Sequence, residues 1–180
     1  MKYQATLDSK SIKNLIDDLK DYRSLLRSRS ERLVERLLEE GIKVAYQHIG
    51  RYAGYVEFTK EIDNQSSRCI GILIGQDTQP FISRWVLKDG TVREAAVSGI
   101  LMSEFGSGWL ANVIWNVSGV GQGTFPGQEH AYDIGGWFWT DEQGVKHHSK
   151  GEEPHYPMYF ADMTMLSQID SIAREVFHGI

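Results

Sequence analysis

The sequence predicts an α+β fold, with N-terminal helices, an antiparallel β-sheet and a C-terminal helix packed on the sheet. Near both ends of the chain, apolar residues recur at three- and four-residue steps, the spacing of an amphipathic helix. Between them, short stretches alternate polar and apolar residues, as half-buried strands do. The chain has 180 residues, 41% apolar and 24% charged, so we expect one domain over residues 1–180.

The first predicted helical region covers residues 9–49 and has a charged face opposite its apolar stripe. Ser9 or Ser11 is the expected N-cap, because a hydroxyl accepts a hydrogen bond from an N–H group without a helical partner. Eight basic and eight acidic residues lie within 8–40, so this segment is neutral. A solvated face is the simpler interpretation and a contact with a neighbouring subunit the alternative; one helix and two consecutive helices both fit. The stripe consists of Ile12, Leu15, Ile16, Leu19, Tyr22 and Leu26, continued by Leu33, Leu37 and Val44.

The middle of the chain is predicted to be β-structure. Residues 55–62 alternate, and residues 68–74 are rich in the β-branched side chains that favour strands. Because successive side chains on a strand point to opposite faces, Trp137 and Trp139 share one face and Phe138 takes the other. The predicted strand pairs are 55–62 with 68–74, 81–87 with 91–97, and 137–139 with 145–148.

A long loop is predicted at about 107–133, followed later by the last helix, from about Pro157 to Phe177. The loop holds five glycines and one proline, although residues 110–117 also fit a short strand or helix. Loops this long within a compact domain are usually functional or disordered. The spaced glycines within 119–123 lack the following helix and lysine of a phosphate-binding loop, so we predict no nucleotide site and no cofactor.

Histidines and acids near the tryptophan-rich hairpin are the candidates for chemistry. A small metal-dependent hydrolase using His130, Asp133, His147 or His148 is the alternative function. Adjacent strand residues point to opposite faces, so one metal could take either His147 or His148 but not both. The nearby acids lie in turns, where acids are common. We therefore predict no catalytic residue and no metal site, and treat the protein as not an enzyme.

Aromatic side chains are the stronger functional signal. Such residues anchor protein interfaces because they bury a large area with few rotatable bonds. A glycine-rich loop beside an aromatic hairpin suits an arm that docks on another chain. The candidate interface residues are Trp109, Phe125, Trp137 and Trp139.

Several motifs follow one another in an order that resembles the neck, or tail-completion, proteins of long-tailed bacteriophages. The charged N-terminal helix leads to Tyr52-Ala53-Gly54-Tyr55, then to Ser103-Glu104-Phe105-Gly106, similar to the family's glutamate-phenylalanine-glycine motif. The sequences GQGTFPGQ and GGWFWTD follow, then the histidine pair, then Gly151-x-x-Pro154-x-x-Pro157-Met158 before the last helix. The resemblance covers nearly the whole chain and departs from it at 157–162, where many members have a more basic helix start.

The resemblance implies a structural virion protein at the head–tail junction, which joins head and tail or completes the tail. It implies a homo-oligomeric ring whose partners are head-closure or connector proteins and tail-terminator or tail-tube proteins, with genomic DNA passing through. A net charge of −5 argues against a general nucleic-acid binder held by phosphate contacts. We also expect no sequence-specific nucleic-acid binding, and no apolar run predicts a membrane span. The location implied is the virion neck, after assembly in the host cytoplasm. An adaptor domain of similar fold outside a virion is a further alternative.

Overall fold

The computed structural model describes residues 8–65, 67–87, 89–113, 130–141 and 143–178. The α+β fold class is confirmed, with a long N-terminal helix, small antiparallel sheets and a C-terminal helix. The helices are α1 (Ser9–His48), α2 (Gly99–Phe105), α3 (Gly108–Val113) and α4 (Pro157–Phe177), with a 3₁₀ turn at Gly50–Tyr52. The strands are β1 (Val56–Asn64), β2 (Cys69–Asp77), β3 (Phe81–Val86), β4 (Val92–Val97), β5 (Trp137–Thr140) and β6 (Lys146–Ser149).

The N-terminal region is one continuous helix of 40 residues, so the alternative of two helices is wrong. Its length is about 60 Å at the usual rise per residue. The predicted cap is also wrong: Asp8 is the N-cap, and its carboxylate accepts from the N–H groups of Lys10 (3.1 Å) and Ser11 (2.9 Å). A carboxylate suits this place, since it also faces the positive end of the helix dipole.

The strands form two sheets rather than the single sheet that we expected. Strands β1 and β2 pair with each other along their full length, from Val56 opposite Asp77 to Asn64 opposite Cys69. The other four have the order β4-β3-β5-β6. Strands β3 and β5 meet at one residue pair, Val86 opposite Thr140. The C-terminal hairpin is therefore attached to the rest of its sheet at a corner.

The C-terminal helix packs mainly along α1, antiparallel to it, and not on the sheet as predicted. Glu175 forms an ion pair with Arg36 at 2.7 Å, and Phe160 stacks on His48 with ring centroids 4.3 Å apart. Gly41 lets the helices approach closely, since a Cβ there would lie 2.8 Å from the sulfur of Met165. The apolar stripe of α4 thus meets the stripe of α1, which offers a longer apolar face than a two-stranded sheet does.

The core lies where α1, β1 and α4 meet. It consists of the buried residues Ala45, Ile49, Tyr52, Val56, Phe58 and Ala161. Helix α2 joins this core through Ser103, whose buried hydroxyl donates to the carbonyl of Ile49 at 3.0 Å. In the part of the chain that the structure describes, no helix is both long and apolar enough to cross a membrane.

Candidate interaction surface

The C-terminal hairpin carries rings stacked in pairs across its two strands. In the register of β5 with β6, Phe138 lies opposite His148 and Trp139 lies opposite His147. The ring centroids are 4.6 Å apart in the first pair and 4.5 Å apart in the second, where the planes differ by 22°. Contacts between cross-strand rings stabilise a hairpin by roughly 0.2–1 kcal/mol each, so these histidines support the aromatic residues.

Two histidines of this region are each bound by a carboxylate. His130 stacks on Trp137 at 4.7 Å, and its Nδ1 lies 2.6 Å from an oxygen of Asp133. His147 Nε2 lies 2.7 Å from an oxygen of Asp141, and this hydrogen bond lowers the pKa of Asp141 below its ordinary value. The other oxygen of Asp141 accepts from backbone N–H groups of the turn at 3.0 and 2.8 Å. Both acids therefore fix the orientation of a stacked imidazole.

Trp137 joins the hairpin to helix α3. A Cβ at Gly108 would lie 2.5 Å from Cζ3 of Trp137, so the indole ring covers the backbone at that glycine. Gly108 also has a φ of +62°, which an L side chain rarely adopts. The indole is half-buried in the isolated subunit. Its contacts are those of a packing residue that holds two elements together.

The four predicted interface residues lie in different settings. Trp109 is half-buried on α3, and Trp139 is half-buried in β5. Phe125 lies outside the described residues. The structure thus brings Trp137 and Trp139 onto one hairpin, as predicted, but with part of each ring already covered by the chain itself.

The most exposed apolar side chains near the hairpin are not among the four predicted interface residues. Ile134 is 86% exposed, Phe138 77% and Tyr132 75%. These three are called the exposed hairpin residues below. The alternation along β5 separates Phe138 from the two tryptophans, but it does not say which face the rest of the chain covers. Several large apolar side chains left open close to one another mark a surface that another protein covers, whereas one alone does not.

A polar cluster beneath the hairpin holds the linker before α4 in place. The hydroxyl of buried Tyr52 donates to the carboxylate of Glu152, which also pairs with Arg51. His155 Nε2 lies 3.7 Å from the other oxygen of Glu152. Burial raises the pKa of Tyr52 to about 12, and the hydrogen bond to Glu152 adds to the shift. The first motif of the resemblance, which begins at Tyr52, therefore has a structural role here.

This cluster predicts a measurable pH dependence. The pKa of Tyr52 is raised in the folded state, so its contribution to stability is fully present below its unfolded pKa, 10.0, and is lost as pH rises towards about 12. The loss amounts to about 3 kcal/mol over that interval. We expect urea unfolding of Tyr52→Phe to show a smaller decline in stability between pH 9 and pH 12 than the unaltered protein. Equal declines in the two proteins would contradict the assignment.

Glu104, which belongs to the Ser103-Glu104-Phe105-Gly106 motif, caps the start of helix α4. It is only 9% exposed, and its carboxylate accepts from the N–H groups of Met158 (2.8 Å) and Tyr159 (3.2 Å) in the first turn of α4. Burial raises its pKa above the ordinary value, against the opposing effect of these two hydrogen bonds. No signal in the sequence links Glu104 to residues so far along the chain.

The histidines of the hydrolase alternative are not gathered into one site. His130 and His147 each bind their own aspartate, and His148 packs against Phe138 with the ring planes tilted by 35°. Within the described ranges, no three or more histidine, cysteine, aspartate or glutamate side chains come together as metal ligands would. No protein-family model, curated protein or solved structure matches the chain. The resemblance to phage neck proteins therefore stays a prediction from the motifs and their order.

Proposed function

We propose that the protein is a structural component of a tailed bacteriophage, located at the head–tail junction, where copies of it form a ring. The proposal is supported by the order of motifs from Tyr52 to Met158. The single structural observation that carries it is the set of exposed hairpin residues, Tyr132, Ile134 and Phe138, which an isolated subunit leaves open to water. Burial of such side chains is worth roughly 1.5–3 kcal/mol each, which is enough to drive association when several act together.

The hairpin is well suited to reach a neighbouring subunit. It meets the rest of its sheet at one residue pair, Val86 with Thr140, and between its two ends Phe138 is left exposed. Stacked rings and the two aspartate–histidine pairs keep it rigid, which reduces the entropy lost on docking. A ring requires contacts between two different faces of each subunit that close on themselves, and we propose that this hairpin supplies one of those faces.

The charge of the protein suits a passage for DNA. The net charge is −5, and some cations of the body are paired, for example Lys60 with Glu35 and Glu39 at 3.1 and 2.8 Å. A net negative protein repels phosphates overall, so DNA can move past it without being held. Strong retention of DNA at low salt would contradict this part of the proposal.

A complementation experiment tests the proposed function. In a phage genome that lacks the gene for this chain, we expect filled heads and separate tails to accumulate, and joined particles to return when the gene is supplied. Unchanged yields of joined, infectious particles without the gene would rule out a role at the junction.

The same assay separates docking residues from packing residues. We expect Phe138→Ser to reduce joined particles at least about tenfold, because an exposed anchor is lost, with little change in the melting temperature. Trp137→Ala should instead lower the melting temperature, since it removes the contact with Gly108. Leu166→Ser is the matched control, because Leu166 is 57% exposed but lies on α4. A loss of particles equal to that of Phe138→Ser in this control would contradict a specific role for the hairpin.

A further inference from the structure

Helix α1 is much longer than the helix packed beside it. Helix α4 runs antiparallel to α1, and its last turn is held by Arg29, which donates to the carbonyls of Val176 (3.1 Å) and His178 (3.0 Å). Residues 9–28 of α1 therefore extend past the end of α4. This segment, called the arm below, is about 30 Å long at the usual rise per residue.

The apolar stripe of the arm continues the face of α1 that α4 covers. Arg36 and Arg29 both bind α4, and they lie seven residues apart, which is two turns of helix. The same seven-residue step leads back to positions 22 and 15. Leu19 and Ile12 lie on this face too, and they are 47% and 43% exposed. This stripe along α1, called the seam below, has the seven-residue spacing against which a second helix packs.

We propose that the arm packs antiparallel against the arm of a second copy of this chain. Beyond Arg29 the seam is occupied by α4, so a straight parallel copy would run into the end of that helix. An antiparallel arm instead begins where α4 ends and covers the seam from there to residue 9. The partner of the arm thus continues the line of α4 along the same face of α1.

The ends of the helices favour the same arrangement. In the antiparallel register, the start of the partner's arm faces the end of α4, which is near Val176. The start of the arm carries the Asp8 carboxylate, and the end of α4 holds the Arg29 guanidinium, so opposite charges meet where the partner's arm begins. Leu15 would lie at the level of Tyr22 of the partner subunit, and the reverse contact follows by symmetry. The sequence of the arm is therefore complementary to itself in this direction.

This pairing is independent of the ring proposed above. An antiparallel pair uses the same surface on both copies and closes at two, whereas a ring needs two different faces. The arm is also far along α1 from the core, and its last turns contact the β1–β2 turn on another face, where Arg27 Nε lies 3.3 Å from Asn64 Oδ1. Failure of the arm to pair would leave the head–tail assay unaffected.

Sedimentation equilibrium of the full-length protein tests the association. We expect a dimer, and we expect Leu19→Glu to raise its dissociation constant at least about a hundredfold, because each copy would bury an unpaired carboxylate. Leu166→Glu is the matched control with the same new charge on the exposed face of α4. A monomeric unaltered protein, or equal weakening by both variants, would overturn the proposal. Circular dichroism melting of both variants checks that the fold is kept.

Disulfide cross-linking tests the direction of pairing. The single native cysteine, Cys69, is replaced by serine in each variant. A mixture of Leu15→Cys and Tyr22→Cys proteins should give oxidised dimers that contain one of each, while each variant alone should give few. Efficient cross-linking of Leu15→Cys with itself would indicate a parallel pair and would overturn the proposal, as would the lack of any cross-link in the mixture.

Discussion

Replacing Gly151 with alanine is expected to destabilise the protein by about 4 kcal/mol, the sum of backbone strain and a steric clash. Gly151 has a φ of +97°, and a Cβ there would lie 1.8 Å from the carbonyl oxygen of Ser107. The same oxygen accepts from the N–H of Glu152 at 3.0 Å, and the N–H of Ser107 donates back to Glu152 at 2.9 Å. The side chain would therefore separate two backbones that the fold holds together.

Loss of the Ser107–Glu152 backbone bridge should also weaken the contacts of the Glu152 side chain. Glu152 follows directly and pairs with Tyr52 and Arg51 in the core-facing cluster. We expect the melting temperature of Gly151→Ala to fall by about 10 °C, since 1 kcal/mol corresponds to about 2–4 °C in a chain of this size. Differential scanning calorimetry measures both quantities.

Gly135→Ala is the matched control that separates backbone strain from the steric clash. Gly135 has a φ of +81° but no atom within 4 Å of the position of a Cβ. Gly135→Ala should therefore show the backbone strain without the clash, a loss of about 1 kcal/mol. A loss at Gly151 no greater than that at Gly135 would show that the close approach to Ser107 does not matter.

Removal of the Glu104 side chain is the second large effect that we expect. Glu104→Ala leaves the N–H groups of Met158 and Tyr159 without their acceptor, at a site that is partly buried. The expected loss is about 2 kcal/mol, from the missing cap and two partly buried donors without a partner. Urea unfolding measures it.

Glutamine at the same position distinguishes a cap from a required charge. Because burial raises the pKa of Glu104, the ionised form is favoured less at this site than in water. The stability linked to this group is therefore largest below its unfolded pKa and declines as pH rises through the folded pKa. Glu104→Gln keeps an acceptor without a charge, so we expect a loss within about 1 kcal/mol. A loss as large as that of alanine would mean that the negative charge itself is needed.

Periodicity was sufficient to predict the larger elements. The stripe from Ile12 to Val44 predicted a helical region, and the structure has one helix over Ser9–His48. The alternation over residues 55–62 and the β-branched run 68–74 predicted the pair that forms β1 and β2. Both signals are local, because they depend on which face of an element is apolar. Of residues 110–117, predicted as a short strand or helix, 110–113 lie in helix α3 (Gly108–Val113), and 114–117 lie outside the described residues.

The arrangement of these elements depends on contacts that the sequence does not display. Glu104 binds α4 across more than fifty residues of chain, and periodicity says nothing about such a pair. The split into two sheets likewise depends on how β3 meets β5, which is a single residue pair. Helix α2, which carries Glu104, begins where the hydroxyl of Ser98 accepts from the N–H of Leu101 at 3.2 Å.

The candidate surface was only partly predictable. The hairpin and the shared face of Trp137 and Trp139 followed from strand geometry. The chain covers part of both indoles, through Gly108 and His130 for Trp137 and through His147 for Trp139. Exposure is a property of the packed molecule, so Phe138 and Ile134 became candidates only once the fold was known.

Electron cryomicroscopy of the tailed particles made by the genome that encodes this chain tests the central proposal most directly. We predict a closed ring of density at the head–tail junction into which α1, α4 and the two sheets fit, with the hairpin around Phe138 against the next subunit. Complete particles whose junction contains no copy of this chain would contradict the proposal.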